Sequence, residues 1–252
     1  MNAVIDTDPL LTLDLPDAET LIEAPDQHAS RLFRDTLSGV TRALYESSDQ
    51  GAPVSQLLAA RSRVVDLLLG CAWHRFMPDP DAAALVAVGG YGRQELHPKS
   101  DVDLLVLVDD GRLDGLAATL TELVTFLWDI GVELGHSVRT IGECVDEACK
   151  DVTVMTNLLE ARLIVGRTSL FEQARQAVGP DHIWPSEAFF SAKCKEQLAR
   201  WKKYGDTAYN LEPNIKENPG GLRDIQMIGW VTKRHFGADS LHELVEHGFL
   251  TE

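Results

Sequence analysis

The stretch 86-VAVGGYGRQELHPKSDVDLLVLV-108 sets two apolar runs on either side of a glycine turn and a polar connection. The first run, Ala83 to Val88, and the second, which begins at Asp101, have the length and composition of buried strands. Gly89, Gly90 and Gly92 form the turn between them, and Asp101 and Asp103 open the second strand. Side chains two apart on a strand leave from the same face, so the two carboxylates project together.

Two adjacent carboxylates repel one another, and a divalent cation between them is the usual remedy. Magnesium takes one or two protein carboxylates together with phosphate oxygens, which makes Asp101 and Asp103 candidate Mg²⁺ ligands. Gly89 and Gly90 supply a complementary device, because backbone N–H groups without side chains can approach an anion closely. Arg93 stands ready to reach the same phosphates, and Ser100, at the head of the SDVD run, is a further nucleotide-binding candidate. Each half has a plain alternative: SDVD can be a solvated strand end and GGYG only a turn. Their ordered combination is what points to a triphosphate site. A dinucleotide fingerprint needs a third glycine where Glu95 stands, and the short connection from Gly89 to Ser100 leaves little room for a crossover helix. A P-loop needs Gly, Lys and Ser or Thr in succession, which this stretch lacks.

Upstream, Arg31–Ser48 and Val54–Phe76 carry apolar residues at helical spacing, and Pro78 and Pro80 end the second helix. Residues 1–30 hold seven acidic residues, no Lys or Arg, and prolines at 9, 16 and 25. That composition predicts a mobile acidic tail. Downstream, Leu113–Trp128 reads as a helix and Gly131–Thr140 as the next strand, with His136 and Arg139 on it. Arg139 can meet phosphate or pair with an acidic neighbour. Helices are then expected over Glu143–Lys150, Thr153–Leu163, Phe171–Val178 and Pro185–Tyr204. The last would bury Phe189, Phe190, Leu198 and Trp201. Thr156, Asn157 and Glu160 can line a nucleotide pocket or serve packing and capping.

At this point two segments resemble a known family. GGYGRQELHPKSDVDLLVL, from Gly89 to Leu107, is similar to the nucleotidyltransferase motif of the PII uridylyltransferase/uridylyl-removing enzymes, a branch of the polymerase-β-like superfamily. Gln94 departs from it, standing where the family commonly has a further glycine. The second segment, EPNIKENPGGLRDIQMIGWVTKRHF from Glu212 to Phe236, resembles the family's downstream signature. The likeness runs from Arg31 to the C-terminus. It implies an α/β (α+β) polymerase-β-like domain with a small mixed sheet, over residues 31–165, followed by a truncated helical domain over 166–252. It implies transfer of UMP from UTP to a tyrosine of the PII signalling protein, with Mg²⁺ on Asp101 and Asp103 and the β- and γ-phosphates on Gly89, Gly90 and Arg93. A third carboxylate would stand on the strand after the helix. Glu133, in a VEL that resembles the V-acid-L of related adenylyltransferases, is the candidate, and an exposed strand Glu is the alternative.

In the GGLRDI segment, Lys216 and Arg223 bracket a turn that feeds a helix whose first N–H groups are expected to be free for an anion. The likeness makes both residues nucleotide-binding candidates. Residues 193–234 carry nine Lys and Arg against five acidic residues, a local excess of four positive charges where a triphosphate could rest. The family's full chains continue into an HD-type phosphohydrolase domain and paired ACT domains. This sequence has no His-Asp dipeptide, so UMP removal and glutamine sensing are not expected of it.

The formal charge of −16 disfavours nucleic acid as a partner. No apolar run approaches the ~18–20 residues of a membrane span, and the first thirty residues lack signal-peptide character, so a cytoplasmic setting is expected. Four cysteines without CxxC spacing read as free thiols. Two other functions fit parts of the pattern: a DxD-type glycosyltransferase, which would not call for the GG turn, and a truncated nucleotide-binding module without turnover.

Overall fold

A computed structural model of the chain describes residues 15–205, 207, 211–212 and 214–237. The described residues fall into two compact units. The first runs through Ile141 and includes Glu160–Gln173, and the second comprises Gly142–Leu159 and the residues from Ala174 onward.

In the first unit, helices α1 (Ala18–Glu23), α2 (Asp26–Asp49) and α3 (Val54–Phe76) lead into the sheet. The acidic stretch departs from the expected mobile tail over its second half. Asp17 caps α1 by accepting a hydrogen bond from the Thr20 N–H at 2.7 Å, and the Thr20 side chain first, with this N–H second, holds the Asp17 carboxyl below its usual range. Leu21 is fully buried, and Arg75 donates to the carbonyls of Ile22 (2.9 Å) and Ala24 (2.6 Å). One leucine and one guanidinium thus tie down a segment whose composition argued for a solvated tail. Residues 1–14 of that tail lie outside the described residues.

The sheet has four strands in the order β3-β2-β1-β4: β1 (Ala83–Ala87), β2 (Val102–Val108), β3 (Leu134–Arg139) and β4 (Arg162–Gly166). β1 pairs antiparallel with β2 and β4, while β2 and β3 run parallel, as a mixed sheet requires. The chain between Gly89 and Ser100 joins an antiparallel pair, which is why it needs only the single helical turn α4 (Gly89–Gly92). The parallel step uses the helix α5 (Leu113–Asp129) as its crossover. All of β1 is buried, and so is β2 apart from Asp103.

Val102, Leu104, Val106 and Val108 enter one core with Leu85, Val64, Leu68, Leu123 and Leu127, each buried side chain contributing about 1.5–3 kcal/mol. Phe126 sits 5.1 Å, centroid to centroid, from both Phe33 and Phe76, and Trp73 Nε1 donates to Pro80 O at 3.0 Å. These contacts pin α2, α3 and α5 on one face of the sheet.

β4 corrects the expected Thr153–Leu163 helix. That helix, α7 (Val152–Leu159), ends four residues early, and RLIVG, with two β-branched residues, pairs with β1 instead. In the second unit, α6 (Ile141–Lys150, all but its first residue) and α7 accompany α9 (Ser186–Lys203) and α10 (Leu222–Phe236), while α8 (Thr168–Ala177) crosses from one unit to the other. Phe189 is buried as expected, but Phe190 and Leu198 are 49% and 54% exposed, so the buried stripe of α9 is narrower than its apolar content suggested.

Arg234 is buried and donates to the carbonyls of Val178 (2.9 Å), Gly179 (3.2 Å), Trp184 (2.9 Å) and Ile183. It binds the 178–184 loop together as a charged clasp. No helix among the described residues is long and apolar enough to cross a membrane.

Candidate active site

The glycine turn and the carboxylate pair lie at one end of the β1–β2 ladder. Beyond its last pair, Ala87↔Leu104, the Val88 N–H donates to Asp103 O at 3.1 Å, so the turn starts at the level of Asp103 on the adjoining strand. Gly89 has φ +58°, a left-handed conformation that glycine adopts without steric cost. The hydrogen bonds of this loop use the N–H groups of Gly92, Arg93, Gln94 and Glu95, on Val88, Gly89, Tyr91 and Gly90 carbonyls, and leave those of Gly89 and Gly90 uncommitted. Both carboxylates are exposed. Although the Asp103 side chain reaches solvent, its partial desolvation, and then the charge of Asp101, push its carboxyl above the ordinary range.

The turn is held from beneath by residues that sequence reasoning missed. Tyr91 is buried and its hydroxyl donates to Asp66 Oδ1 at 2.5 Å; burial, and then Asp66, push the phenol far above its usual range. Arg162 grips both oxygens of Asp66 (2.8 and 3.0 Å) and donates to the carbonyls of Gly92 (3.3 Å) and Tyr91 (3.4 Å). α3, α4 and β4 are thereby locked together. Asp66 carried a weak signal, an acid within the apolar run of α3; Arg162 carried none.

Arg93 is engaged by protein. It donates to Glu95 Oε2 at 2.8 Å and pairs with the buried Glu160, so both carboxylates raise its affinity for its proton against the effect of burial. Of the three residues offered for a pocket or for packing, Glu160 therefore serves Arg93, Thr156 is buried with its hydroxyl on Val152 O (2.6 Å), and Asn157 is exposed.

Ser100 is exposed, its N–H on His97 O at 3.0 Å. Glu133 stands one residue before β3, its carbonyl accepting the Val102 N–H at 2.7 Å, and lines a hollow of about 100 Å³ with Arg61, Pro98 and Ser100. Among the described residues no group of three or more His, Cys, Asp or Glu is arranged to hold a metal ion, and the carboxylate pair stands by itself. No carboxylate pairs with Arg139 among the described residues. His136 packs edge-on against Trp128 at 5.9 Å.

In the second unit the start of α10 differs from its expected form. The N–H groups of Leu222, Arg223 and Asp224 already donate to the carbonyls of Ile215 (2.9 Å), Lys216 (3.0 Å) and Gly221 (3.0 Å), so they are not free for an anion. The loop folds back far enough to satisfy the helix end itself.

Arg223 donates to Gln226 Oε1 (3.0 Å), lies 3.6 Å from Glu217 and stacks over Trp230, whereas Lys216 is exposed. Lys193, Arg200 and Arg234 are likewise committed to internal partners; Glu196 and Asp224 are among the five acids already counted, so the local excess of four stands while fewer of its cations are open to a ligand.

Comparison with known proteins agrees with this geometry. Residues 75–158 match the family model described as a nucleotidyltransferase domain, and residues 188–252 match that of GlnD PII-uridylyltransferase. A bifunctional uridylyltransferase/uridylyl-removing enzyme of Methylococcus capsulatus is 50% identical over 213 residues, covering 84% of this chain and 24% of the relative. Proteins of the same name from Vibrio campbellii (49% over 204 residues, 81% and 23%) and Pseudomonas aeruginosa (48% over 221 residues, 87% and 25%) match similarly. The chain thus spans about a quarter of the length of these curated relatives. With the mixed sheet, the glycine turn and both family signatures in agreement, the chain carries the nucleotidyltransferase region of the PII uridylyltransferase/uridylyl-removing enzyme family.

Proposed function

We propose that this chain transfers UMP from UTP to a tyrosine hydroxyl of a PII-type signalling protein in the cytoplasm. The observation that carries the reading is the Val88 N–H to Asp103 O bond, which puts the uncommitted Gly89 and Gly90 N–H groups beside a carboxylate pair. The relatives' names supply the uridylyl group. In the reaction the phenol oxygen forms a bond to the α-phosphorus, the bond from that phosphorus to the bridging oxygen breaks, and pyrophosphate leaves. The phenol proton passes to a basic group, for which Glu133 is the candidate.

Asp101 and Asp103 fit a hard divalent ion, offering oxygen donors with room for water and phosphate oxygens. Bound there, Mg²⁺ would neutralise triphosphate charge and favour the charge that develops in the transition state. Gly89 and Gly90 would orient the phosphates through their N–H groups, with Ser100 at the mouth of the site. Arg93, carrying two carboxylates of its own, would chiefly brace the turn and lend its remaining field to the phosphates.

Incubating the chain with each of the four nucleoside triphosphates, Mg²⁺ and a PII protein, followed by intact mass measurement, tests the reading. A uridylyl increment on PII is expected with UTP alone, lost in Asp101→Asn and Asp103→Asn. An unmodified PII, or an increment that survives both substitutions, would refute it. Lys216 and Arg223 are proposed as further phosphate contacts. Calorimetric titration of UTP should show Lys216→Ala and Arg223→Ala each weakening binding by about 1–3 kcal/mol. Unchanged affinity in both would remove them.

A further inference from the structure

β3 carries a side chain at every position except the one that faces Asp103. In the parallel β2–β3 register Asp103 lies opposite Gly135, flanked by Leu134 and His136, whose side chains leave from the other face. A Cβ added at Gly135 would lie 2.5 Å from Asp103 Oδ1 and 3.7 Å from its Cγ. The first distance is far inside van der Waals contact.

The backbone gives no reason for a glycine, since Gly135 is not among the residues with positive φ. A glycine inside a strand also weakens the strand. The carboxylate can give way only by turning about its own side-chain bonds. Asp103 has a short side chain, and its backbone is fixed by the Val88 N–H on one side and the β3 ladder on the other.

We propose that Gly135 is a positioning residue of the site: its missing side chain is the space in which the Asp103 carboxylate takes up its metal-binding orientation. This rests on the reading of Asp101 and Asp103 as the metal pair. Alanine at 135 would turn the Asp103 carboxylate out of that orientation and leave the strand itself in place.

The test uses Mn²⁺ as a paramagnetic probe, its binding to the whole chain followed by electron paramagnetic resonance beside a thermal melt. Gly135→Ala should weaken Mn²⁺ binding about tenfold or more, within the 10–100-fold typical of losing a group that orients a ligand. Asp103→Asn should lose the same binding. Gly115→Ala, on α5 where an added Cβ meets nothing within 4 Å, should leave Mn²⁺ affinity unchanged while raising the melting temperature slightly, since Ala is the better helix former. If Asp103→Asn binds Mn²⁺ like the parent, the metal reading itself fails. If Asp103→Asn loses the ion while Gly135→Ala keeps it, Gly135 has no positioning role.

A second measurement covers a Gly135→Ala protein that folds poorly. In an Asp103→Ala background the opposing oxygen is gone, so Gly135→Ala should raise the melting temperature there and not in the parent. Equal effects in both backgrounds would overturn the proposal.

Discussion

Two glycines of the turn, Gly90 and Gly92, stand two residues apart, yet alanine at each should act in opposite ways. At Gly92 a Cβ would run into the Glu160 carbonyl oxygen, lie 3.0 Å from its carbon and 3.2 Å from Ala87 O, all backbone atoms with no rotamer to change. Overpacking costs about 1–3 kcal/mol even where side chains can shift. Here relief means moving Glu160, which anchors Arg93, and the Gly92 carbonyl, which accepts from Arg162. Disturbing a buried ion pair adds to the cost, with full rupture worth about 3–5 kcal/mol.

Gly92→Ala should therefore lose ~3 kcal/mol or more, a melting shift of about 6 °C or more at 2–4 °C per kcal/mol for a protein this size. At Gly90 the nearest atoms, Glu95 O and Arg93 Nη2, lie 3.7 and 3.8 Å away, ordinary contact distances, so Gly90→Ala should stay within about 1 kcal/mol of the parent. Its effect should fall on UTP affinity, because the methyl group stands beside an N–H assigned to phosphate. Urea melts of both variants, with UTP titration of the one that folds, decide the matter. A Gly92→Ala protein as stable as the parent, or a Gly90→Ala protein destabilised equally, would refute the reasoning.

Gln94, a non-glycine residue at φ +62°, should gain up to about 1 kcal/mol on replacement by Gly, because the left-handed Cβ penalty disappears, with UTP affinity unchanged; a denaturant midpoint that falls would contradict this. Asp224 is held below its usual carboxyl range: burial opposes its charge, but hydrogen bonds from Gln197, the Gly220 N–H, Arg200 and Trp201 outweigh that. A depressed carboxyl stabilises the fold above its unfolded value of 3.8 and loses that contribution as pH falls through the lower folded value. Asp224→Asn should thus flatten the stability profile below pH 3.8, followed by tryptophan fluorescence since Trp201 Nε1 donates to this carboxylate; an unaltered acid limb would sink the assignment.

What was legible in the sequence was what depends on neighbours. β1 and β2 announced themselves as unbroken apolar runs because both their faces are buried, and the glycines between them marked the reversal. The carboxylate pair was legible because its two members stand two residues apart at the head of β2, Asp103 on the strand and Asp101 one residue before it, where the sequence reading puts both on the strand. β4 was not: RLIVG follows a helical stretch with no Gly or Pro to punctuate the change, and its pairing with β1 is settled some eighty residues away. The two carboxylates on Arg93 show the same limit, one being a neighbour at Glu95 and the other lying 67 residues downstream at Glu160. α1 escaped notice because acidic composition outweighed the single Leu21 that anchors it. The helix-end carbonyls that occupy the N–H groups of α10 come from a loop whose return path no periodicity encodes.

The bond from Val88 to Asp103 also bears on how the site comes into being. The glycine turn and the carboxylate pair belong to one antiparallel hairpin, closed by contacts such as Ala87↔Leu104 between residues close along the chain. Short loops close early and at small entropic cost, so these two elements can find each other before β3 and β4 are recruited across much longer separations. Mutual alignment of the two is then a property of the hairpin and survives any opening that leaves the hairpin intact. The Val88 amide proton, held at the junction, exchanges with solvent only when that hairpin opens, and so times the lifetime of the assembled site.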